Sequence, residues 1–306
     1  MSFVTVVMPV FNRADLVAET MRSLLAQTHK EFELIVVNDG STDHSAEVVA
    51  SFKDSRVRLI DLPGNCGAAT ARNIGMRMAQ GDLIAVMDSD DLALPDRLTM
   101  QETFMTANPE VQIAGGNCIK MVNGKNHGMK HPALDGVIKA RLLALDGSSM
   151  IHPSSIMRTG FIRQHRITYP EYVIGDDHAL WLSALRQGAR FAGQQEFVLM
   201  YRRHSGNITA EGLASTDEAQ RKTTPLRIDM LHTFFPNLTA RQTLAIARVM
   251  EHKRNLSMDE AWDGLASIRE ALRDEISYYG ECRKTLKALL ESFQRRLLVA
   301  LAKIKH

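Results

Sequence analysis

Cysteine is scarce in this chain of 306 residues. Cys66, Cys118 and Cys282 are far apart and odd in number, which excludes a disulfide framework and points to a reducing cytoplasm. All three are expected to be small core hydrophobes. Long apolar runs are missing as well. The longest, Leu297 to Ala302, falls far short of a bilayer span, and the N-terminus enters an apolar run with no basic leader or small-residue cleavage site. Neither a membrane span nor a secretory leader is expected. Aromatic residues are 6% of the chain and the net charge is only +2, so the main body lacks the basic, aromatic-bearing surface of a nucleic-acid binder. Two nucleotide-binding loops are absent too. No Gly-x-Gly-x-x-Gly follows the first strand-like run and no Walker lysine loop occurs anywhere, which argues against dinucleotide dehydrogenases and P-loop enzymes.

What the chain does have is 45% hydrophobic and 24% charged residues, enough for one large or two modest domains. Residues 1–90 alternate between strand and helix patterns. Strands are expected at Val4–Pro9, Glu33–Val37, Val57–Leu62 and Leu83–Met87. Helices are expected at Asp15–Gln27, Asp43–Lys53 and Ala68–Gln80, the last stopped by Gly81. The strands are near-continuous apolar runs, as a parallel sheet covered on both faces requires, so the fold class is α/β.

Ligands of such sheets lie beyond the carboxyl ends of the strands, and each strand there runs into a polar cluster. These are Phe11-Asn12-Arg13, Asn38 to Asp43, Gly64 to Gly67, and Asp88-Ser89-Asp90-Asp91. Three carboxylates within four residues at the end of a buried strand repel one another unless a cation or ligand compensates them. A nucleotide held by carboxylates and a metal is the reading left.

Met8 to Arg13, Leu34 to Asp43, Ala71-Arg72-Asn73-Ile74-Gly75, Asp88 to Asp91, Gly175 to Leu182, and Tyr201 to His204 with Asn207-Ile208-Thr209 follow one another in this order. Together they resemble the family-2 glycosyltransferases of the GT-A fold, over roughly the first 210 residues. The resemblance implies a Rossmann-like, mostly parallel α/β/α sheet with a C-terminal helical extension. Residues 1–112 would be the nucleotide-sugar-binding half, 113–214 the acceptor-binding half and 215–306 a helical region. The implied reaction is inverting transfer of a hexosyl or N-acetylhexosaminyl group from a nucleotide diphosphate donor, a UDP-sugar, to a hydroxyl of a glycan or lipid-linked acceptor.

The same resemblance assigns roles. Pro9, Phe11, Asn12, Asp39, Arg72, Asp88 and Ser89 would bind the donor. Phe11, where tyrosine is commoner, would stack on the base, and Asp39 would accept the uracil imide N–H. Asp88, Asp90 and His204 would hold Mn²⁺ or Mg²⁺, ions suited to hard oxygen ligands. Asp177 would be the general base with Asp176 beside it, in place of the commoner Glu-Asp. Each residue also has a plainer reading: a turn aspartate at Asp39, a solvated helix arginine at Arg72, a surface histidine at His204, an N-cap pair at Asp176 and Asp177. Trp181 is read as core. His152 is read as structural or as an acceptor contact, and Arg202 and Arg203 as diphosphate partners or surface charges. The polar stretch Asn123–His131 is expected to be a loop that orders over bound donor.

Residues 281–306 carry seven Lys/Arg against two Glu, a balance of +5 that leaves −3 for the rest. Three or four helices are expected after Thr216, separated near Phe235-Pro236-Asn237 and Ser257. The last aligns Leu286, Leu289, Leu290, Phe293, Leu297, Leu301 and Ile304 on one face. Two readings of residues 283–306 stay open: peripheral attachment to the cytoplasmic face of an anionic membrane, or docking on this domain or on a second copy. Two other functions stay open too. A sugar-nucleotide pyrophosphorylase would share the sheet and metal but needs a Gly-rich basic loop near the N-terminus, and an inactive nucleotide-sugar-binding module would need no base.

Overall fold

The structure is a computed structural model describing residues 1–122, 124–145, 149–170, 175–204, 217–251, 256–273 and 282–304. Strands β1 (Val4–Val10), β2 (Phe32–Asn38), β3 (Val57–Asp61) and β4 (Leu83–Val86) run parallel in the order β3-β2-β1-β4. Crossover helices α1 (Ala14–Leu25), α2 (Ser45–Ala50) and α3 (Ala68–Met78) join them. The sheet therefore grows one way from β1 to β3 and the other way to β4. That switch opens a crevice beyond the carboxyl ends of β1 and β4. Pro9 sits in β1 although proline cannot donate to a ladder. Val7 O, two residues earlier and so on the same side of the strand, accepts from Met87 N at 3.1 Å. β4 ends at Val86, so Pro9 faces a side where the ladder has already stopped.

The second half of the chain completes a nine-stranded sheet in the order β3-β2-β1-β4-β8-β6-β9-β5, with β7 paired to β6. Its strands are β5 (Leu92–Ala93), β6 (Ile113–Val122), β7 (Lys125–Met129), β8 (Ser155–Arg158) and β9 (Phe191–Arg202). Its helices are α4 (Arg97–Ala107), α5 (Asp135–Leu142), α6 (Thr159–Gln164) and α7 (Asp176–Arg186). One pairing positions the site. Immediately after Asp88–Asp91, the short β5 pairs antiparallel with β9, Leu92 opposite Met200 and Ala93 opposite Leu199. This carries the acidic loop to the end of β9, where Arg202 and His204 lie.

Helices cover both faces. Val17, Met21 and Leu24 of α1 and Leu98 and Met105 of α4 bury one face, and Ala69 and Met76 of α3 with Leu180, Trp181 and Leu185 of α7 bury the other. Gly75 allows α3 to approach β1, because a Cβ there would stand 2.5 Å from Val7 Cγ1. Gly81 corrects an expectation: α3 ends at Met78, and the glycine is required by packing. A Cβ on it would lie 2.6 Å from Thr5 N and 2.7 Å from Phe3 O.

Two further expectations change, and one of the two readings of the last helix gains support. Residues 125–129 of the expected donor loop form β7, laddered to β6 from Cys118↔Met129 to Val122↔Lys125, so most of that stretch is a hairpin arm; Asn123 lies outside the described residues. Cys66 is exposed, whereas Cys118 and Cys282 are buried. The C-terminal residues form α8 (Asp217–Phe234), α9 (Ala240–Glu251), α10 (Met258–Arg273) and α11 (Arg283–Ile304), and α11 lies on α5, α9 and α10. Leu286, Leu290 and Leu297 are buried in that contact, with Leu289 and Phe293 packed against it. The described part of that apolar face is thus covered by the protein itself, as the docking reading expects, since an apolar stripe gains as much from a helix as from lipid. The side chains of Leu301 and Ile304 lie outside the described residues. No described helix is long and apolar enough to cross a membrane.

Candidate active site

The loops after β1, β2 and β3 are stitched together by side-chain to backbone hydrogen bonds. Asn12 adopts φ +51°, a left-handed conformation that asparagine tolerates. Its amide donates to Ser41 Oγ at 3.1 Å and its Oδ1 accepts from Thr42 N at 2.9 Å. Asp43 Oδ2 accepts from Ala14 N at 3.0 Å at the start of α1. Asp39 is buried, and its two carboxylate oxygens accept from Cys66 N at 2.7 Å and Gly67 N at 2.9 Å. Gly40, at φ +66°, permits this, because a Cβ there would lie 2.4 Å from the Gly64 carbonyl carbon. Asp39 thus does the work of a turn aspartate, and each of its oxygens keeps capacity for a second donor. Phe11 is 38% exposed on the rim beside these loops.

The acidic loop is clamped from behind. Thr20 Oγ1 lies 2.9 Å from Ser89 O and 2.8 Å from Asp91 O. Arg202 is buried and spans the carbonyls of Asp90 and Leu16, the hydroxyl of Thr20 and the carboxylate of Glu19. This corrects its reading as a diphosphate partner. Arg97, almost wholly buried at the start of α4, donates to Val86 O at 2.6 Å and Gln101 Oε1 at 3.0 Å, which fixes the end of β4. Burial lowers its pKa to about 10.

In front, the carboxylates face cations. Asp88 Oδ1 accepts from Arg72 at 2.9 Å. Asp90 Oδ2 lies 3.3 Å from Arg13 Nε and 3.0 Å from His204 Nε2. Asp91 is fully buried; its Oδ1 accepts from Arg202 N at 2.9 Å, and its Oδ2 is buried without a hydrogen-bond partner. Burial first, then Asp88 and Asp90, push its carboxyl well above the ordinary carboxylate range.

Arg72 joins the two halves of the site. The same guanidinium that holds Asp88 donates to Asp176 Oδ2 at 2.8 Å. It also lies 5.5 Å from the centroid of the Tyr169 ring. Burial opposes its charge, but Asp88 and Asp176 outweigh burial and raise its pKa. Asn73, the next residue, exchanges two hydrogen bonds with the Tyr169 backbone at 2.7 and 2.8 Å, and Tyr169 OH lies 2.8 Å from His152 Nε2. His152 is buried in this network, the structural reading of that residue. Helix α7 opens at Gly175, φ +84°, so Asp176 and Asp177 occupy its first turn. Asp177 Oδ1 accepts from His178 N at 2.8 Å and lies 3.0 Å from His178 Nδ1. Burial works to raise its carboxyl, but His178, His152 and the His178 amide hold it well below the usual carboxylate range.

Residues 5–166 match the family model described as Glycosyl transferase family 2. The chain belongs to that family. The chain is 41% identical to an uncharacterized glycosyltransferase of Haemophilus influenzae, over 40% of this chain and 53% of that protein. It is 32% identical to the succinoglycan biosynthesis protein ExoO of Rhizobium meliloti, over 67% of this chain and 62% of that one. The matches therefore span a little over half to about three fifths of those relatives. Over 69% of this chain and 81% of the other it is 29% identical to WfaP of Escherichia coli, named UDP-Glc:α-D-GlcNAc-diphosphoundecaprenol β-1,3-glucosyltransferase. Among solved structures, S. aureus TarS in complex with UDP-GlcNAc superposes with TM-score 0.66 at 18% identity, covering 97% of this chain and 89% of that one. The mannosyltransferase PcManGT of Pyrobaculum calidifontis, in complex with GDP-Man and Mn²⁺, superposes with TM-score 0.57 at 17% identity, covering 99% and 86%. The fold is GT-A with C-terminal helices.

Family-2 glycosyltransferases often use a divalent ion, and the acidic loop fits one. Ligand atoms of Asp88, Asp90 and Asp91 lie within 4.8 Å of one another, and the Asp91 oxygen without a partner is among that loop's carboxylates. His204 Nε2 lies at hydrogen-bond distance from Asp90 Oδ2, 3.0 Å, so the imidazole stands beside these carboxylates and could join them in holding the ion. Oxygen donors with one imidazole suit Mn²⁺. Arg13 and Tyr169 face this site and were missed as site residues. Arg13 lies inside a quoted motif and could have been read as a counter-charge. Tyr169 carries no local signal, because Asn73 reaches it across 96 residues.

Proposed function

We propose that this family-2 enzyme transfers a hexosyl or N-acetylhexosaminyl group, with inversion, from a UDP-sugar to a hydroxyl of a glycan or lipid-linked acceptor in polysaccharide synthesis. The observation that carries this reading is the Arg72 bridge, with Asp88 at 2.9 Å on one side and Asp176 at 2.8 Å on the other. A donor gripped at the end of β4 then lies beside the carboxylates that open α7. The names of relatives support the substrate class. WfaP is named for glucosyl transfer from UDP-Glc onto a diphosphoundecaprenol-linked sugar, and ExoO for succinoglycan biosynthesis. TarS has been solved with UDP-GlcNAc and with UDP.

In this reading Phe11 stacks on the base, Asp39 accepts the imide N–H, and Pro9, Asn12 and Ser89 shape the loops around the donor. Asp90, His204 and Asp88 would hold Mn²⁺ or Mg²⁺, which when bound supplies positive charge to the departing diphosphate. Asp177 takes the acceptor proton. With Oδ1 engaged by His178, Oδ2 is the oxygen we assign to the hydroxyl. Like any carboxylate at or below its ordinary range, Asp177 is ionised at neutral pH, and it accepts the proton as the acceptor oxygen bonds to the anomeric carbon. The bond to diphosphate breaks on the opposite face and its electron pair leaves with the phosphate oxygen, which inverts the centre. A positioned base contributes about 10²- to 10⁴-fold, and holding the two substrates in line supplies more. We read residues 1–112 as the donor half, 113–214 as the acceptor half and 215–306 as a helical buttress of a cytoplasmic enzyme.

The test is a thermal-shift screen of UDP, GDP, TDP and CMP with and without Mn²⁺, followed by turnover of the winner's sugars. Metal-dependent release of nucleoside diphosphate supports glycosyl transfer. Release of a monophosphate or triphosphate would point to a pyrophosphorylase, and binding with no turnover to a binding module.

A further inference from the structure

The two carboxylates that open α7 are bound in different ways. Asp176 has both oxygens engaged: Oδ1 accepts from the Asp177 N–H at 2.9 Å and Oδ2 from Arg72 at 2.8 Å. Asp177 engages only one. Its Oδ1 accepts from the His178 N–H at 2.8 Å and lies 3.0 Å from His178 Nδ1, while its Oδ2 accepts from none of the described residues. The Asp177 side chain is 26% exposed and the His178 side chain 9%. One oxygen is therefore pinned against a buried ring, and the other is left available.

An ionised carboxylate can only accept, so this contact places a proton on His178 Nδ1. Two donors on one oxygen constrain a carboxylate more than one does. The last torsion of an aspartate is broad, so the backbone N–H alone would let the group swing about Oδ1 and sweep Oδ2 through a range of directions. A second donor, carried on a ring that its burial in α7 holds still, removes that freedom. The gain matters because a reacting group misplaced by about 1 Å loses up to about 10²-fold in rate. We propose that His178 is a positioning residue for the general base: its Nδ1–H, with its own backbone N–H, fixes Oδ1 of Asp177 and so presents Oδ2 to the acceptor hydroxyl. It acts through Asp177 and not on the substrates. The inference rests on the reading of Asp177 as the base.

The experiment follows UDP release from UDP-glucose and UDP-N-acetylglucosamine, with Mn²⁺ and with water as the acceptor, by the unmodified full chain, Asp177→Asn, His178→Phe and His178→Asn. In that reaction the water oxygen bonds to the anomeric carbon, its proton passes to Asp177 Oδ2, and UDP leaves with the electron pair of the broken bond. His178→Phe keeps a buried ring and removes the donor; its kcat is expected to fall about ten- to a hundredfold while KM for the donor stays unchanged. His178→Asn, whose amide nitrogen takes the place of Nδ1, is expected to recover most of that loss. An unreduced kcat in His178→Phe, with Asp177→Asn still impaired, would overturn the positioning role and leave the base reading standing. Equal losses in the Phe and Asn variants would also overturn it, because the Nδ1–H would not be the cause, and so would a donor KM that rises as kcat falls. If the unmodified chain released no UDP, or Asp177→Asn released it as fast, the base reading and this inference would fall together. A second measurement needs no active variant. Long-range nitrogen–proton spectra of histidine-labelled protein, with the His178 signal assigned by its loss in His178→Asn, should show a proton on Nδ1; a bare Nδ1 would overturn the proposal even if His178→Phe failed to fold.

Discussion

Asp91 and Asp177 are carboxylates pushed in opposite directions. Asp91 is buried beside two other carboxylates and its carboxyl is raised, so the fold disfavours its ionised form. A group raised in this way costs stability as pH climbs past its unfolded value, about pH 4. Asp91→Asn keeps an oxygen for Arg202 N and removes that cost. In chelator at pH 8 its melting temperature should exceed the unmodified protein's by about 2–4 °C for each kcal/mol recovered, with no difference near pH 4; a lower melting temperature at pH 8 would contradict the buried-charge account. Asp177 is held low by His178. Its stabilisation is complete above the ordinary carboxylate range and is lost only as pH falls below it. Asp177→Asn should lower kcat by about 10²- to 10⁴-fold while calorimetric nucleotide affinity is unchanged. Transfer at the unmodified rate would remove Asp177 as the base.

At the scale of elements, the donor loops depend on glycine where the chain comes too close for a Cβ. Gly40 combines φ +66° with a backbone atom 2.4 Å from its would-be Cβ. Gly40→Ala should cost about 1–3 kcal/mol in urea unfolding and weaken nucleotide binding, because it separates Asp39 from the Cys66 and Gly67 amides; unaltered stability would show that the loops can part freely. The strands and crossover helices of residues 1–90 were legible because a buried parallel strand is apolar throughout and each helix repeats near 3.6 residues. What the sequence could not disclose is set by partners far along the chain. Gly81 reads as a helix stop by local rules, yet its reason lies in Thr5 and Phe3. Residues 125–129 read as a polar loop because β7 is an exposed strand whose only ladder among the described residues, to β6, leaves no buried face to imprint alternation. Arg202 and His204 look alike as basic residues of one string, but Arg202 is drawn onto α1 and His204 onto Asp90.

For the whole molecule, the amphipathic pattern of α11 was legible but its partner was not, since an apolar stripe records only that something covers it. Here α5, α9 and α10 do so, which packs the last helix onto the helices beside it and onto α5 of the sheet domain. A chain ending at residue 280 should therefore melt lower or precipitate, and the full chain should stay in the supernatant with anionic vesicles. Vesicle binding lost on truncation, with melting unchanged, would restore the membrane reading. The sheet carries the rest of the design. Its switch between β1 and β4, together with β5 on β9, brings the ends of β1, β2, β4 and β9 to one rim.

The central claim is that Asp39 and Asp90, on separate loops of that rim, grip one donor through its base and its metal-bound diphosphate. Calorimetric titration of UDP with and without Mn²⁺, into the unmodified protein, Asp39→Ala and Asp90→Ala, tests it most directly. The account predicts Mn²⁺-dependent binding that both substitutions abolish or weaken by at least about tenfold, the loss of one charged hydrogen bond or ligand. Binding that needs no metal and survives both substitutions would contradict it.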